Sequence, residues 1–319
     1  MKNLNEQHIT IIIPYFKAAK GIVKVVSKLP DYINQVVIVD DKSPEALPLE
    51  DIQQKINPNI QVHVVRHEKN QGVGGATKSG FKKALELDTD FVVKVDADDQ
   101  MDLSYLPQLI EPLMENKAEV AKGNRFRDFD ALKKMPLFRR MGNLALSLLI
   151  KSSTGYWHNF DPTNGFFAMK KEVLQRLNFK NLDNRYYFET SLLAELYFHR
   201  ARIKDVAMPA IYGDEKSNMQ VWKMPFVFMP KLIGTFLKRL VKGYLLYDFN
   251  PGSIYLIMGI PMFLFGFIFG IYTWVYYASR DIFTPTGTIM IITLTIILGF
   301  QLILQATQYD IINAPKAED

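Results

Sequence analysis

The sequence predicts an α/β domain built on a mostly parallel sheet, followed by amphipathic helices and two transmembrane helices. Three observations carry this. Apolar, largely β-branched runs alternate with stretches of helical spacing over the first hundred residues or so. Those runs end on proline or aspartate. Near the C-terminus, 31 residues from Phe249 to Ser279 and 28 from Ile282 to Tyr309 carry no charge, where about 20 apolar residues already cross a bilayer core as a helix.

The elements follow in order. Ile9 to Ile13 is a continuous apolar run ended by Pro14 and reads as a buried strand. Phe16 to Leu29 has helical spacing. Val36 to Val39 is a second buried strand, ending at Asp40-Asp41, and Ile60 to Val65 is a third. Gly72 to Leu87 is helical after a glycine-rich start, and Phe91 to Val95 is a fourth strand, ending at Asp96. Strands alternating with helices imply right-handed crossovers and a parallel sheet. Ligands of such sheets sit beyond the carboxyl ends of the strands. That edge carries Pro14-Tyr15, Asp40-Asp41 and Asp96-Ala97-Asp98.

Composition bounds the rest. At about 150 residues per domain, 319 residues suggest two units. With 48% hydrophobic and 22% charged residues, the chain is globular rather than disordered or collagen-like. It has no cysteine, which excludes disulfides, thiolate metal sites and a cysteine nucleophile. The formal charge of +5 is local: Lys223, Lys231, Lys238, Arg239 and Lys242 precede the first span. The positive-inside rule puts that side in the cytoplasm, and the N-terminus lacks the apolar segment of a signal peptide. The expectation is an inner-membrane protein with its α/β domain and both termini cytoplasmic. It divides into an α/β domain over 1–220, juxtamembrane helices over 221–249 and a two-span hairpin with a short tail over 250–319.

Leu132 to Lys151 and Trp222 to Tyr247 are basic and amphipathic. They read as interfacial helices or as ordinary surface helices with solvated lysines. Because the cations cluster beside the spans, an anionic membrane surface is a simpler partner than nucleic acid. Gly259, Gly266 and Gly270, spaced i, i+7 and i+11, offer a small-residue face for packing against another protomer.

Several constellations carry chemistry. Asp96 and Asp98 lie two residues apart beyond a buried strand, so both carboxylates can converge on a hard divalent cation such as Mg²⁺, with Gln100 adding a carbonyl oxygen; the alternative is a solvated acidic turn. Asp40 and Asp41 suit a base N–H or ribose hydroxyl, or simply form a turn with Ser43. Asn70 to Ala76 lacks dinucleotide spacing; its glycines either let backbone approach a nucleotide or pack a helix start. Glu189 is a candidate base, an orienting group, or an acid at a helix start. His8, His63, His67, His158 and His199 show no metal-ligand spacing and read as structural. Trp157 and His158 line an acceptor path or belong to the core.

The order of these motifs resembles a known family. IPYF at 13–16, IVDDKS at 38–43, NQGVGGA at 70–76 and DADDQ at 96–100 are similar to the family-2 inverting glycosyltransferases of the GT-A fold. Lys122-Gly123-Asn124-Arg125 resembles that family's G-S/N-R segment, and Asp161 to Phe166 its D-x-x-S/N-G-F segment. Two spans after an amphipathic stretch look like the polyprenyl-phosphate glycosyltransferases, relatives of dolichol-phosphate mannose synthase. The resemblance covers essentially the whole chain. It implies a GT-A catalytic domain that moves one sugar, with inversion, from a UDP- or GDP-linked donor to undecaprenyl or dolichyl phosphate.

Carried over by position, the resemblance gives Asp40 and Asp41 the nucleoside, with Pro14, Tyr15, Gly72, Gly74, Asp96 and Ala97 around the donor. It gives Asp98 and Gln100, with Asp96, an Mg²⁺ or Mn²⁺ ion on the diphosphate. Arg125 would meet the acceptor phosphate, helped by Arg139 or Arg140 and by Thr163 or Asn164. Where many relatives carry R-x-x-G-x-S-K, this chain has Pro209 to Ser217 without the arginine, and Lys216 supplies the charge near the phosphates.

A phosphate monoester is already an anion and needs positioning by arginine rather than a base. A hydroxyl acceptor, as on a lipid-linked saccharide or a glycerolipid, needs a carboxylate base. A processive polysaccharide synthase is disfavoured, because Gln220-Val221-Trp222 lacks QxxRW and two spans make a poor channel. A catalytically inactive transferase-like anchor is the remaining alternative, and the intact D-x-D opposes it.

Overall fold

The computed structural model describes residues 4–125, 137–209 and 224–318. Its elements run β1 (Ile9–Tyr15), α1 (Ala19–Ser27), β2 (Gln35–Asp40), α2 (Leu49–Lys55), β3 (Gln61–Arg66), α3 (Val73–Glu86), β4 (Phe91–Lys94), α4 (Leu106–Met114) and β5 (Val120–Asn124). They continue with α5 (Leu137–Thr154), β6 (Phe167–Lys170), α6 (Lys171–Arg176), α7 (Phe188–Phe198), β7 (Ile203–Ala207), α8 (Met224–Leu240), α9 (Pro251–Ala278) and α10 (Thr286–Ile312).

The strands form one sheet in the order β3-β2-β1-β4-β6-β5-β7. The four strands expected from sequence pair in parallel around β1. In β1, β2 and β4 residues such as Ile11, Val37 and Val93 are fully buried, which is why these three read as largely apolar runs. The second half of the sheet is mixed. β6 runs antiparallel to both β4 and β5, and β7 is parallel to β5.

That mixed half positions two lysines. Lys94 on β4 and Lys122 on β5 are both in register with Phe167 on β6 between them. Residues paired across neighbouring strands share a face, so Lys94 and Lys122 flank Phe167 on one side of the sheet. Phe81 of α3 and Phe188 of α7 pack there too, with Phe81 edge-on to Phe167 at 6.3 Å between centroids. The opposite face buries Ile22, Val25 and Val26 of α1 and Leu106, Leu109, Ile110 and Leu113 of α4.

The chain divides into two compact units, Met1–Thr235 with Pro315–Asp319, and Phe236–Ala314. In the first, Ile150 of α5, Tyr187 and Leu232 of α8 form a small buried cluster. Tyr187 Oη lies 2.9 Å from Thr235 Oγ1, and Lys231 pairs with Asp183. The C-terminal residues join this unit through Arg202, which pairs with Glu318.

In the second unit, α9 and α10 are 28 and 27 residues long, with mean hydropathy of 2.3 and 2.2 over their most apolar stretches. Both are long and apolar enough to cross a membrane. Asn250 and Ser253 form a reciprocal cap at the start of α9. The glycines of the small-residue face pack within the hairpin. A Cβ at Gly259 would lie 2.9 Å from Leu302 Cβ, and one at Gly266 2.5 Å from Thr295 Oγ1. At Gly270 it would meet Ile292 at 3.1 Å. Their small size serves contact within one chain. After α8 the helix widens into a π-helical stretch, Val241–Leu246. Arg239 donates to Asp310 through Nη1 at 2.7 Å and Nη2 at 2.9 Å, and Tyr244 Oη donates to the same carboxylate at 2.6 Å.

Candidate active site

The D-x-D segment is a tight turn at the end of β4. Val95 N still donates to Ile12 O at 2.9 Å, extending the pairing with β1. Asp98 Oδ1 then accepts from Gln100 N at 3.1 Å, and Asp99 takes a positive φ of 59°. Helix α1 seats this turn from below. A Cβ at Gly21 would stand 2.2 Å from Ala97 O and 3.1 Å from Asp98 Cα. Glycine is therefore what lets α1 approach so closely.

Beside the turn lies a buried charged row. Lys94 is 1% exposed, and its Nζ lies 2.6 Å from Asp96 Oδ1 and 3.9 Å from Glu189 Oε1. Burial disfavours the Lys94 ammonium, but Asp96 and Glu189 outweigh burial and hold its pKa above the ordinary lysine value. Glu189 stands in the first turn of α7. Burial raises its pKa, opposed by Lys94 and Lys122. Lys122 is equally enclosed and donates to the Asn164 carbonyl. Burial pulls its pKa down to about 8, against Asp161, Glu189 and Asp205. Glu189 thus interacts with both lysines that flank Phe167.

The far end of the row is Arg125. Its Nε donates to Asp161 Oδ2 at 2.7 Å and its Nη2 to Asp161 Oδ1 at 3.1 Å. Asp161 also accepts the Arg125 backbone N–H, at 3.2 Å. The carboxylate is fully buried while the arginine side chain is 42% exposed, so a buried anion aims a half-exposed guanidinium. Thr163 is exposed on the same turn and donates to Asp161 Oδ1 at 3.4 Å. Asn164 Oδ1 accepts from Phe166 N at 3.0 Å. The Asn164 Nδ2 is buried with no hydrogen-bond partner among the described residues. Asp205 ties this edge together by accepting from Asn124 Nδ2 at 3.0 Å and Asn159 Nδ2 at 2.6 Å.

Several residues expected near the donor also make contacts within the chain. Tyr15 is fully buried, and its hydroxyl donates to the Glu45 and Ala46 carbonyls, bracing the loop after β2. Asp41 is buried too. It accepts from Gln71 N and Gly72 N, both at 2.8 Å, and lies 2.7 Å from His67 Nδ1. Its carboxylate pins the glycine-rich loop. A Cβ at Gly74 would fall 2.4 Å from Asp183 O and 2.7 Å from Phe188 Cβ, and one at Gly72 2.6 Å from Asn184 O. Of the two readings of this loop, the geometry supplies packing: the glycines seat α3 against the segment that carries Glu189. Asp40 is half-buried at the edge and accepts from Ser43 N at 2.9 Å. Pro14 and Gln100 are half-buried there and Ala97 is buried. Arg139 and Arg140 lie in α5 at positions whose side chains fall outside those described, and Lys216 lies outside the described residues altogether.

Sequence reasoning assigned no role to Lys94 or Lys122. The available signal at Lys94 was a lysine inside an apolar strand pattern, and at Lys122 there was none.

A mixed seven-stranded sheet whose carboxyl edge carries a D-x-D turn beside a buried row of acids and bases defines a glycosyltransferase domain of the GT-A type. The chain belongs to glycosyl transferase family 2, whose model matches residues 10–177. It is 31% identical over 224 residues to the UDP-N-acetylglucosamine–dolichyl-phosphate N-acetylglucosaminyltransferase of Methanococcus voltae, covering 65% of this chain and 86% of that one. It is 26% identical over 195 residues to the undecaprenyl-phosphate mannosyltransferase of Micrococcus luteus, covering 60% and 77%. The glucosyl-3-phosphoglycerate synthase of Mycobacterium tuberculosis, crystallised with Mn²⁺ and UDP, shares the fold with a TM-score of 0.52 at 19% identity, covering 73% of this chain and 80% of that one.

Proposed function

We propose that this protein transfers one sugar from a UDP- or GDP-linked donor to a polyprenyl phosphate, with inversion, at the cytoplasmic face of the membrane that α9 and α10 cross. The observation that carries the reading is the juxtaposition of the D-x-D turn with the Arg125–Asp161 fork along one buried row. One end suits a diphosphate, the other a second phosphate. Relatives named as transferases to dolichyl and undecaprenyl phosphate support the acceptor class.

The donor set fits a hard divalent cation. Among the described residues no three His, Asp or Glu side chains gather into a self-sufficient metal site. The turn offers oxygen ligands only, which is how Mg²⁺ is held when substrate phosphates complete its shell. Asp98, with Asp96 and Gln100, would hold Mg²⁺ or Mn²⁺, and the ion would supply positive charge where the leaving diphosphate develops negative charge.

The chain's own residues do the rest. Asp40 faces the nucleoside at the β2 edge. Arg125, aimed by Asp161, binds the acceptor phosphate by its planar fork, with Thr163 and Asn164 adjacent and Arg139 and Arg140 as further cations, while Lys216 supplies charge near the donor phosphates. The anionic acceptor attacks without surrendering a proton, so Glu189 orients rather than abstracts. The exposed Leu144 and Leu148 of α5, and Val227 and Ile233 of α8, suit the lipid surface from which such an acceptor is drawn.

One observation favours a second reading. Burial raises the pKa of Glu189, as a general base for a lipid-linked hydroxyl acceptor requires.

The test is transfer by the purified full chain in detergent with Mn²⁺ or Mg²⁺, a panel of UDP- and GDP-sugars, and undecaprenyl phosphate. Mass spectrometry should find a single-sugar phosphodiester that disappears in Asp98→Ala. Nucleotide binding without product from any acceptor would mark an inactive anchor.

A further inference from the structure

Lys94 has no part in the chemistry described so far, yet it is among the most enclosed charges in the catalytic unit. It occupies the last position of β4, a strand hydrogen-bonded on both sides, by β1 and by β6. A lysine there costs the fold a desolvated ammonium, which is tolerated only with paired counter-charge. Two carboxylates supply it. Asp96 comes from its own turn and Glu189 from α7, about a hundred residues away in sequence. The three groups meet over Gly165. A Cβ built there would stand 2.3 Å from Lys94 Nζ, 3.1 Å from Asp96 Oδ2 and 3.5 Å from Glu189 Oε1.

The ammonium, both carboxylates and the missing side chain of Gly165 therefore occupy one small volume. No φ in the left-handed region calls for glycine at this position. What calls for it is the room that the Lys94 ammonium fills.

We propose that Lys94 is a positioning residue for sugar transfer: seated over Gly165, its ammonium holds the Asp96 and Glu189 carboxylates in one fixed arrangement beside the reacting centre. This rests on the transferase reading above. Lys94 touches neither substrate; it acts by fixing Asp96, on the donor side, and Glu189, which in turn interacts with Lys122 and so with the acceptor side. Reacting groups misplaced by about 1 Å can cost roughly a hundredfold in rate. The clamp should therefore show chiefly in turnover and less in nucleotide affinity, to which Asp40 and Asp98 contribute from outside it.

The decisive variant is Gly165→Ala. It keeps every charge, and the new methyl meets the far end of a flexible side chain, so the fold should survive with the ammonium displaced. The full chain in detergent would be assayed for kcat, for acceptor and donor KM, and for UDP or GDP affinity with Mn²⁺ by calorimetry. The expected result is a kcat lower by about a hundredfold, with nucleotide affinity falling by much less than that and the melting temperature close to wild type. Lys94→Met would lose turnover in the same way. Because that variant takes the Lys94 ammonium from Glu189 and from the partly exposed Asp96, Lys94→Met/Glu189→Gln keeps the test open where the single variant unfolds: its fold should recover and its turnover should not.

An active wild type together with a fully active Gly165→Ala overturns the positioning role alone. So does a Gly165→Ala protein whose kcat falls only in step with its melting temperature. A wild-type chain that binds nucleotide but transfers sugar to no acceptor overturns the transferase reading, and the clamp with it.

Discussion

Arg125 and Asp161 meet through two parallel hydrogen bonds, Nε to Oδ2 at 2.7 Å and Nη2 to Oδ1 at 3.1 Å, with the carboxylate buried and the guanidinium half in solvent. A buried anion that fixes the plane of an exposed fork preorganises that fork for a second anion. Arg125→Ala should therefore lower kcat/KM for the acceptor by about thirtyfold while leaving nucleotide affinity intact. Asp161→Asn should do nearly the same, because the fork loses its aim. Unchanged acceptor kinetics in both variants would remove Arg125 from the acceptor site.

Lys122 makes a prediction about pH. Burial lowers its pKa from 10.5 to about 8. As pH rises through 8, the folded protein loses a cation beside Asp161 and Glu189. The alkaline limb of kcat/KM should accordingly fall near pH 8, and Lys122→Met should lack that limb and sit on a lower plateau. Stability moves the other way. Between about pH 8 and 10.5 the unfolded chain binds the extra proton, so this residue favours folding increasingly as pH rises across that window. Thermal melts of wild type and Lys122→Met from pH 7 to 10.5 should show the gap between them changing in that sense.

Gly21 should tolerate no side chain. A methyl would strike Ala97 O, 2.2 Å from the Cβ position, and crowd Asp98 Cα at 3.1 Å. These are backbone atoms and cannot swing aside. Gly21→Ala should destabilise the fold by about 1–3 kcal/mol, as overpacking does. It should also weaken Mn²⁺-dependent nucleotide binding, because the D-x-D turn moves. Normal calorimetric binding in this variant would show that α1 does not set the turn.

Within the membrane unit, Asp310 is the partner on which Arg239 and Tyr244 converge. Asp310→Ala leaves a guanidinium only 2% exposed without its carboxylate, a loss that costs about 3–5 kcal/mol for buried pairs. The melting temperature in detergent should drop clearly. Arg239→Met/Asp310→Leu should recover most of it, since an apolar pair of similar volume replaces a buried ion pair at little cost.

The parallel half of the sheet was legible because β1, β2 and β4 are buried on both faces and so appear as apolar runs, each closed near Pro14, Asp40 or Asp96. The other half was not. β6 has only four residues, and β5 and β7 carry Lys122, Lys204 and Asp205, so none shows a clean period. In the candidate site, the D-x-D turn, Arg125 and Glu189 could be proposed from local motifs. The roles of Tyr15, Asp41 and Gly74 could not, since each is decided by a distant segment: the 45–46 carbonyls, the 71–72 amides and the 183–188 stretch. Lys94 and Lys122 escaped notice for the same reason. Their meaning depends on β6 bringing them level, and a pattern reading takes a lysine as solvated.

Transfer to a polyprenyl phosphate requires a phosphate oxygen as the acceptor's nucleophile. The most direct measurement offers the wild-type chain undecaprenyl phosphate and undecaprenol side by side, with the same nucleotide-sugar and Mn²⁺, and identifies the glycolipid by mass spectrometry. A phosphate nucleophile gives an acid-labile single-sugar phosphodiester from the phosphate and no product from the alcohol. Equal or preferred transfer to the alcohol would contradict it and would make Glu189 the base.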